Sequence, residues 1–257
     1  MDIAFSPCPN DTFIFYKWAH EPHIQATLKD VEWLNRAAQK STYSVSKLSF
    51  FAWLGLKDQY QLLDCGAALG WGCGPVLITR RGEQLTEQSR VALPGEFTTA
   101  HLLYRLAYGD MGKRVFMPFD EIMEALATGR VDAGVIIHEG RFVYEQRGFV
   151  CQQDLGAWWE QQTQLPIPLG CIAVRRNLGK EAISLCEQQM SDSIAYAFSQ
   201  PDQTMDYVRA HAQELDDTVM REHIATYVNA YTQELGDEGR AAIAEMEQRA
   251  MKAGLCA

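Results

Sequence analysis

The feature that most limits what this chain can fold into is a change of rhythm. Short apolar runs alternate with helical patterns as far as Val174, and beyond that residue the pattern is helical to the end. Such alternation is the punctuation of an α/β fold, and a helical tail of that length must pack back onto a layer already built. The first runs are Asp2–Phe5, a proline-rich turn, a helix expected from Asp11 or Thr12, and an apolar run Val31–Leu34 read as a strand ahead of Asn35–Gln39. A second helix is expected to start near Ser46–Ser49 and to carry Phe50, Phe51, Trp53 and Leu54. Cys65–Leu69 then leads into the glycine cluster Gly70-Trp71-Gly72-Cys73-Gly74.

After Pro75–Thr79 and a polar stretch, Arg80–Arg90, a fresh strand signal at Val91–Leu93 opens what reads as a second unit. Its next part has Asp120 as a possible N-cap, Ile122, Ala125 and Leu126 on one helical face, Gly129 past the helix end, and an apolar run Val131–Ile137 that delivers His138 and Glu139. Ile167–Val174 follows Pro166 and Pro168 as a return crossing. Four helical stripes complete the chain: Ile183/Cys186/Met190/Ile194, Met205/Val208/Ala212/Leu215, Ile224/Tyr227/Val228/Tyr231 and Ile243/Met246/Ala250, all read as core-facing. The expected architecture is an α/β clamshell with a central cleft. Residues 1–78 plus 172–257 form the first lobe, 88–165 an inserted second lobe, and the crossings lie near 75–82 and 165–174.

Charge narrows the partners. The 257 residues hold 23 basic and 33 acidic side chains, a net charge of -10, which disfavours a sequence-independent grip on nucleic acid or on anionic lipid. Residues 181–257 carry 14 acidic and 5 basic side chains, so the first 180 residues are nearly neutral and can hold a small anion with a few placed groups. The N-terminus lacks a basic and apolar leader pattern and no run approaches a membrane span, so a cytoplasmic protein is expected. The seven cysteines are scattered with no Cys-x-x-Cys, which gives no disulfide framework and no zinc site.

Candidate chemistry sits in six stretches. Thr98 and Thr99 open a helix whose free N–H groups attract an anion, such as a carboxylate. Ser46, Lys47, Leu48 and Ser49 repeat the device in the first lobe. The glycine cluster lacks the spacing of a dinucleotide fingerprint and reads as a close backbone approach or a hinge, with Gly72 at its centre. His138, at the end of a buried strand, has the placement of a proton acceptor, whereas His20, His23, His101, His211 and His223 do not. Trp158 and Trp159 either flank a planar ring or close a core. Cys8, between two prolines, is a loop thiol without an evident base in sequence.

Taken in order, Ser6-Pro7-Cys8-Pro9-Asn10-Asp11-Thr12-Phe13, Val45-Ser46-Lys47-Leu48-Ser49, Ala68-Leu69-Gly70-Trp71-Gly72-Cys73-Gly74-Pro75, Thr98-Thr99, Ile136-Ile137-His138-Glu139, Asp154-Leu155-Gly156 and Pro166-Ile167-Pro168-Leu169-Gly170 resemble the 1,4-dihydroxy-6-naphthoate synthases of the futalosine route to menaquinone. The resemblance runs from Asp2 to about Val174. It implies a type 2 periplasmic-binding-protein-like fold, and a cytoplasmic lyase without metal or organic cofactor. The implied substrate is cyclic dehypoxanthine futalosine, a carboxylated bicycle joined to a sugar-derived ring, and the implied products are 1,4-dihydroxy-6-naphthoate and dihydroxyacetone. It also implies His138 as proton acceptor, and Lys47, Leu48 and Ser49 with Thr98 and Thr99 as substrate-binding segments; Ser46, Asn10 and Gly72 join that set as neighbours in the same motifs. The alternatives are chorismate dehydratase of the same pathway and a non-catalytic carboxylate-binding protein of the same fold. Closure of the lobes over the ligand is expected, in a monomer or weak homodimer.

Overall fold

The computed structural model describes residues 1–212 and 216–256. The chain builds two sheets. Strands β1 (Asp2–Phe5), β2 (Gln25–Leu28), β3 (Val45–Ser49), β4 (Tyr60–Leu62) and β5 (Ala68–Gly70) come first, and β6 (Val76–Arg80), β7 (Arg90–Leu93), β8 (Lys113–Phe116), β9 (Ala133–Ile136) and β10 (Phe149–Asp154) follow. Strand β11 (Ile167–Arg175) then returns to the first sheet, whose order is β2-β1-β3-β11-β4 with β5 also paired to β11. The second sheet has the order β10-β6-β9-β7-β8. Within each sheet the early strands pair in parallel (β1 with β2 and β3; β7 with β8 and β9) and the crossing strands β6 and β11 run antiparallel to their neighbours.

Helices α1 (Pro9–Ala19), α2 (Val31–Gln39) and α3 (Phe50–Leu54) connect the first strands. The second sheet carries α4 (Thr99–Tyr108), α5 (Ile122–Ala127), α6 (Gly140–Val143) and α7 (Leu155–Thr163). The tail is α8 (Lys180–Ser199), α9 (Pro201–His211), α10 (Asp217–Tyr227), α11 (Ala230–Gln233) and α12 (Gly236–Lys252). Helices α8, α9 and α10 pack on α1 and bury Cys186, Met190, Ile194, Met205, Val208 and Met220 with Ile3, Phe5 and Trp18. The four expected stripes are therefore largely core, except that Leu215 lies outside the described residues.

Three local expectations are corrected. Val31–Leu34 begins a helix, because Asp30 accepts hydrogen bonds from the N–H groups of Glu32 and Trp33 and so caps α2; the strand of that unit is the earlier Gln25–Leu28. Ser46–Ser49 lies in β3, the buried middle of the first sheet, and the helix starts only at Phe50. α1 starts at Pro9, two residues earlier than expected, with proline in its first turn where no N–H is needed.

The chain leaves the first sheet after Gly70 and enters the second at Val76, then comes back through α7 and residues 164–166. The expected crossings at 75–82 and 165–174 overlap these segments at their edges and otherwise coincide with β6 and β11. At this junction Gly156, in the first turn of α7, meets Cys73 so closely that a Cβ built on it would stand 1.8 Å from the Cys73 carbonyl oxygen. Arg141 ties the same place together, donating to the carbonyls of Gly72 and Gly74 and pairing with Asp154 at 2.6 Å.

Candidate active site

The C-terminal ends of parallel strands are where side chains from successive loops converge, and here both sheets direct theirs into one cavity. It encloses about 620 Å³ counting its open mouth. The loop after β1 gives Ser6 and the first turn of α1 gives Asn10 and Asp11; β3 gives Lys47 and Ser49; the start of α4 gives Thr98, Thr99 and Ala100; the residues after β9 give Ile137 and His138; and α10 adds His223 and Tyr227.

Strand geometry sorts the β3 residues. Alternate side chains point to opposite faces, so Lys47 and Ser49 face the cavity while Ser46 and Leu48 face away. Leu48 is fully buried in the core and Ser46 donates its hydroxyl to the Lys47 carbonyl. β11 passes Gly170 opposite Ser49, and a Cβ there would stand 2.9 Å from Lys47 Cε, so the bare glycine makes room for the lysine chain.

Lys47 Nζ meets Asp11 Oδ1 at 2.5 Å, with the two side chains 6% and 1% exposed. This is a buried ion pair, and the remaining acceptor capacity of Asp11 is filled: Ser6 donates its hydroxyl to Oδ2 at 2.6 Å and Asn10 Nδ2 donates to Oδ1 at 2.9 Å. Asn10 lines the cavity, but its amide is committed on both sides, since His223 Nε2 lies 2.9 Å from Asn10 Oδ1.

His138 follows β9 on a left-handed turn of φ 55°, an unusual backbone for a residue with a Cβ and one that tends to persist where function holds it. The strand itself is buried at every position, as the central strand of a covered sheet should be. The His138 ring sits edge-on to Phe119 at 4.7 Å, faces the His223 ring at 6.2 Å, and places Nδ1 3.4 Å from Cys8 Sγ. Burial drives its pKa down to about 4; Asp11 opposes that shift and Lys47 adds to it. The ring is thus neutral at pH 7, with a lone pair available. Burial also pushes the Cys8 thiol well above its usual range, with Glu139 and Asp11 adding to the effect. The two groups face each other as thiol and imidazole, and an activated thiolate is disfavoured.

Thr98 caps α4, accepting from the His101 N–H and donating to the Gly95 carbonyl. Thr99 reaches across to the first sheet, donating to the Leu169 carbonyl at 2.8 Å and accepting from the Phe51 N–H at 3.3 Å. The wall they form still presents the N-terminal turn of a helix toward the cavity. A second bridge between the two halves is Glu32 of α2, whose carboxylate accepts from the N–H groups of Glu96 and Phe97, both at 3.0 Å.

Several expected residues stand elsewhere. Gly72 lies on the surface loop beside exposed Trp71, donating to Glu160, outside the residues that line the cavity. Trp159 is buried with its indole N–H on the Pro166 carbonyl, which is a packing role, and Trp158 packs against the same core. Conversely, Asp11, His223 and Tyr227 line the cavity although no chemical role was read for them in sequence. The only signal for the last two was their spacing of four on one helix face, which here points at the cleft.

Among the described residues no group of three or more His, Cys, Asp or Glu side chains could hold a metal ion, and no helix is long and apolar enough to cross a membrane.

A family model described as "Menaquinone biosynthesis" matches residues 1–252. The chain is 45% identical to the 1,4-dihydroxy-6-naphthoate synthase of Thermus thermophilus, over 99% of this chain and 95% of that one. Among solved structures, protein AF1704 of Archaeoglobus fulgidus superposes with a TM-score of 0.93 at 37% identity, covering 99% of this chain and 97% of the other. The periplasmic aliphatic sulphonate-binding protein SsuA of Escherichia coli superposes at 0.63 with 13% identity, covering 100% and 88%, a likeness of fold alone. The fold is accordingly the two-sheet α/β clamshell of the periplasmic binding proteins. Because a match of this breadth takes in both sheets, the cavity between them and the helical tail together, the chain belongs to the menaquinone-biosynthesis family.

Proposed function

We propose that the chain is a carbon–carbon lyase that cleaves cyclic dehypoxanthine futalosine to 1,4-dihydroxy-6-naphthoate and dihydroxyacetone, with His138 as the base. The observation that carries this reading is a half-buried imidazole, held neutral, on the wall of a cavity that also holds a desolvated lysine and a helix N-terminus. A base and anion-binding groups around one cavity are what a proton-initiated fragmentation needs.

In this reading the substrate carboxylate docks at the first turn of α4, beside Thr98 and Thr99, and the bicycle lies across the apolar part of the cavity formed by Ile137, Leu169 and Ala100. With Nδ1–H directed at Cys8, His138 Nε2 takes the proton of a hydroxyl on the sugar-derived ring. As that oxygen becomes a carbonyl, the carbon–carbon bond to the bicycle breaks in the retro-aldol sense, its electron pair passes to a carbonyl oxygen of the bicycle as an enolate, and protonation of that oxygen leaves the aromatic diol. Lys47, held by Asp11, supplies a fixed positive charge for the oxygen on which negative charge develops. The reaction asks for no metal or organic cofactor. A small carboxylated substrate, no nucleic-acid partner and a cytoplasmic setting belong to the same proposal.

The test is incubation of the purified protein with cyclic dehypoxanthine futalosine, with chorismate in parallel. Release of 1,4-dihydroxy-6-naphthoate and dihydroxyacetone from the first alone supports the proposal. Turnover of chorismate alone would assign the dehydratase step instead, and binding without turnover of either would leave a carboxylate-binding protein.

A further inference from the structure

One group in the cavity has no task in the mechanism above. His223 is 1% exposed and lines the cavity from α10, and its Nδ1 has no hydrogen-bond partner among the described residues. The tautomer is fixed by its neighbours. Asn10 Nδ2 donates to Asp11 Oδ1, whose partner on the other side is the Lys47 ammonium, so Asn10 must turn its carbonyl oxygen to His223. A carbonyl oxygen can only accept; His223 Nε2 therefore carries the proton and Nδ1 the lone pair. The ring stays neutral, because burial, then the neighbouring His138 and then Lys47 all disfavour its charged form.

A buried acceptor without a partner is costly, and such groups are retained where something fills them. The occupant must be a donor. A carboxylate, which brings only lone pairs, is repelled by Nδ1, and the helix N-terminus at Thr98 is the site suited to it. We propose that His223 Nδ1 accepts a hydrogen bond from a hydroxyl on the sugar-derived half of the substrate, and so sets which end of the ligand faces the α10 side of the cavity. This inference rests on the functional reading given above. It makes His223 a specificity-determining residue: the relay from Lys47 through Asp11 and Asn10 presents a lone pair of fixed direction, which a hydroxylated ring satisfies and an apolar one does not.

The experiment compares His223→Gln and His223→Asn with the unmodified protein. The glutamine amide can still donate to Asn10 but offers nothing at the Nδ1 position, whereas the asparagine oxygen takes the place of Nδ1. For His223→Gln, kcat/KM on cyclic dehypoxanthine futalosine should fall on the order of 10- to 100-fold, the effect of stranding a buried donor. Inhibition by the product 1,4-dihydroxy-6-naphthoate, which lacks the sugar-derived half, should stay within about threefold. His223→Asn should recover part of the lost kcat/KM. Unchanged kcat/KM in His223→Gln overturns the inference, and so does an equal loss of substrate turnover and product binding, which would mark a purely structural histidine. An unmodified protein that leaves this substrate intact overturns the functional reading itself, and with it the identity of the donor.

Discussion

His138 and Lys47 illustrate how burial decides what a side chain can do. His138 is held neutral because an imidazolium would be stranded among Phe119, Cys8 and Lys47, and its shift from 6.5 to about 4 has two consequences. In catalysis, the acid limb of kcat/KM should fall well below pH 6.5, since the ring keeps its lone pair until the pH approaches its own lowered pKa. In folding, the unfolded chain binds this proton first, so the histidine's contribution to stability is complete above about pH 6.5 and is lost as the pH falls toward about 4. Urea unfolding across that range should show stability declining on acidification, and His138→Ala should weaken the decline while lowering turnover by at least ~10²-fold. Near-normal turnover in that variant would remove His138 from the chemistry. Lys47 makes a different case, a buried cation whose partner is as buried as itself. Lys47→Met leaves Asp11 buried and unpaired, which costs roughly 3–5 kcal/mol in unfolding experiments. Replacing both, as Lys47→Met with Asp11→Leu, should recover much of that stability and none of the activity.

Elements decide which readings of the sequence survive. The apolar runs Asp2–Phe5, Val91–Leu93 and Val131–Ile137 are legible because a strand buried on both faces has few other ways to be written. The run 45–49 is harder: serines and a lysine look like a helix entrance, yet its period of two is the true signal, and only that period separates Lys47 and Ser49 from Ser46 and Leu48. Val31–Leu34 shows the reverse error, since a four-residue apolar run fits strand and helix alike and the deciding residue is the cap, Asp30, just before it. His223 was beyond reach, because nothing local tells a helical histidine whether its face meets a core or a cleft; more than 200 residues separate it from Asn10. The motif Asp154-Leu155-Gly156 acquires a reason only in three dimensions, where α7 backs onto Cys73. Gly156→Ala must push that backbone contact apart, and a loss of about 1–3 kcal/mol in denaturant titrations is expected. An unchanged midpoint would mean that the junction yields freely.

At the scale of the whole molecule, the two halves are linked by more than the crossing segments. Glu32 accepts two backbone N–H groups from the 96–97 loop, Arg36 pairs with Glu96 at 3.1 Å, and Thr99 bonds to Leu169. Hydrogen bonds to a charged group are the strong ones, so Glu32 is the principal clasp. Glu32→Ala should enlarge the radius of gyration seen by small-angle scattering and weaken substrate binding, and an unchanged radius would show that the crossings alone set the spacing of the halves. The seat of β11, between β3 and β4, sets the order in which the two sheets are completed. The second sheet is contiguous, from Val76 to Asp154, whereas the first keeps its middle position empty until Ile167–Arg175 is made. On a ribosome adding about 5–20 residues per second, β3 and β4 wait on the order of 5–20 s for the strand that joins them. The half translated first is therefore the half completed last, and its unpaired strand edges are the surfaces that a nascent chain must shield from its neighbours.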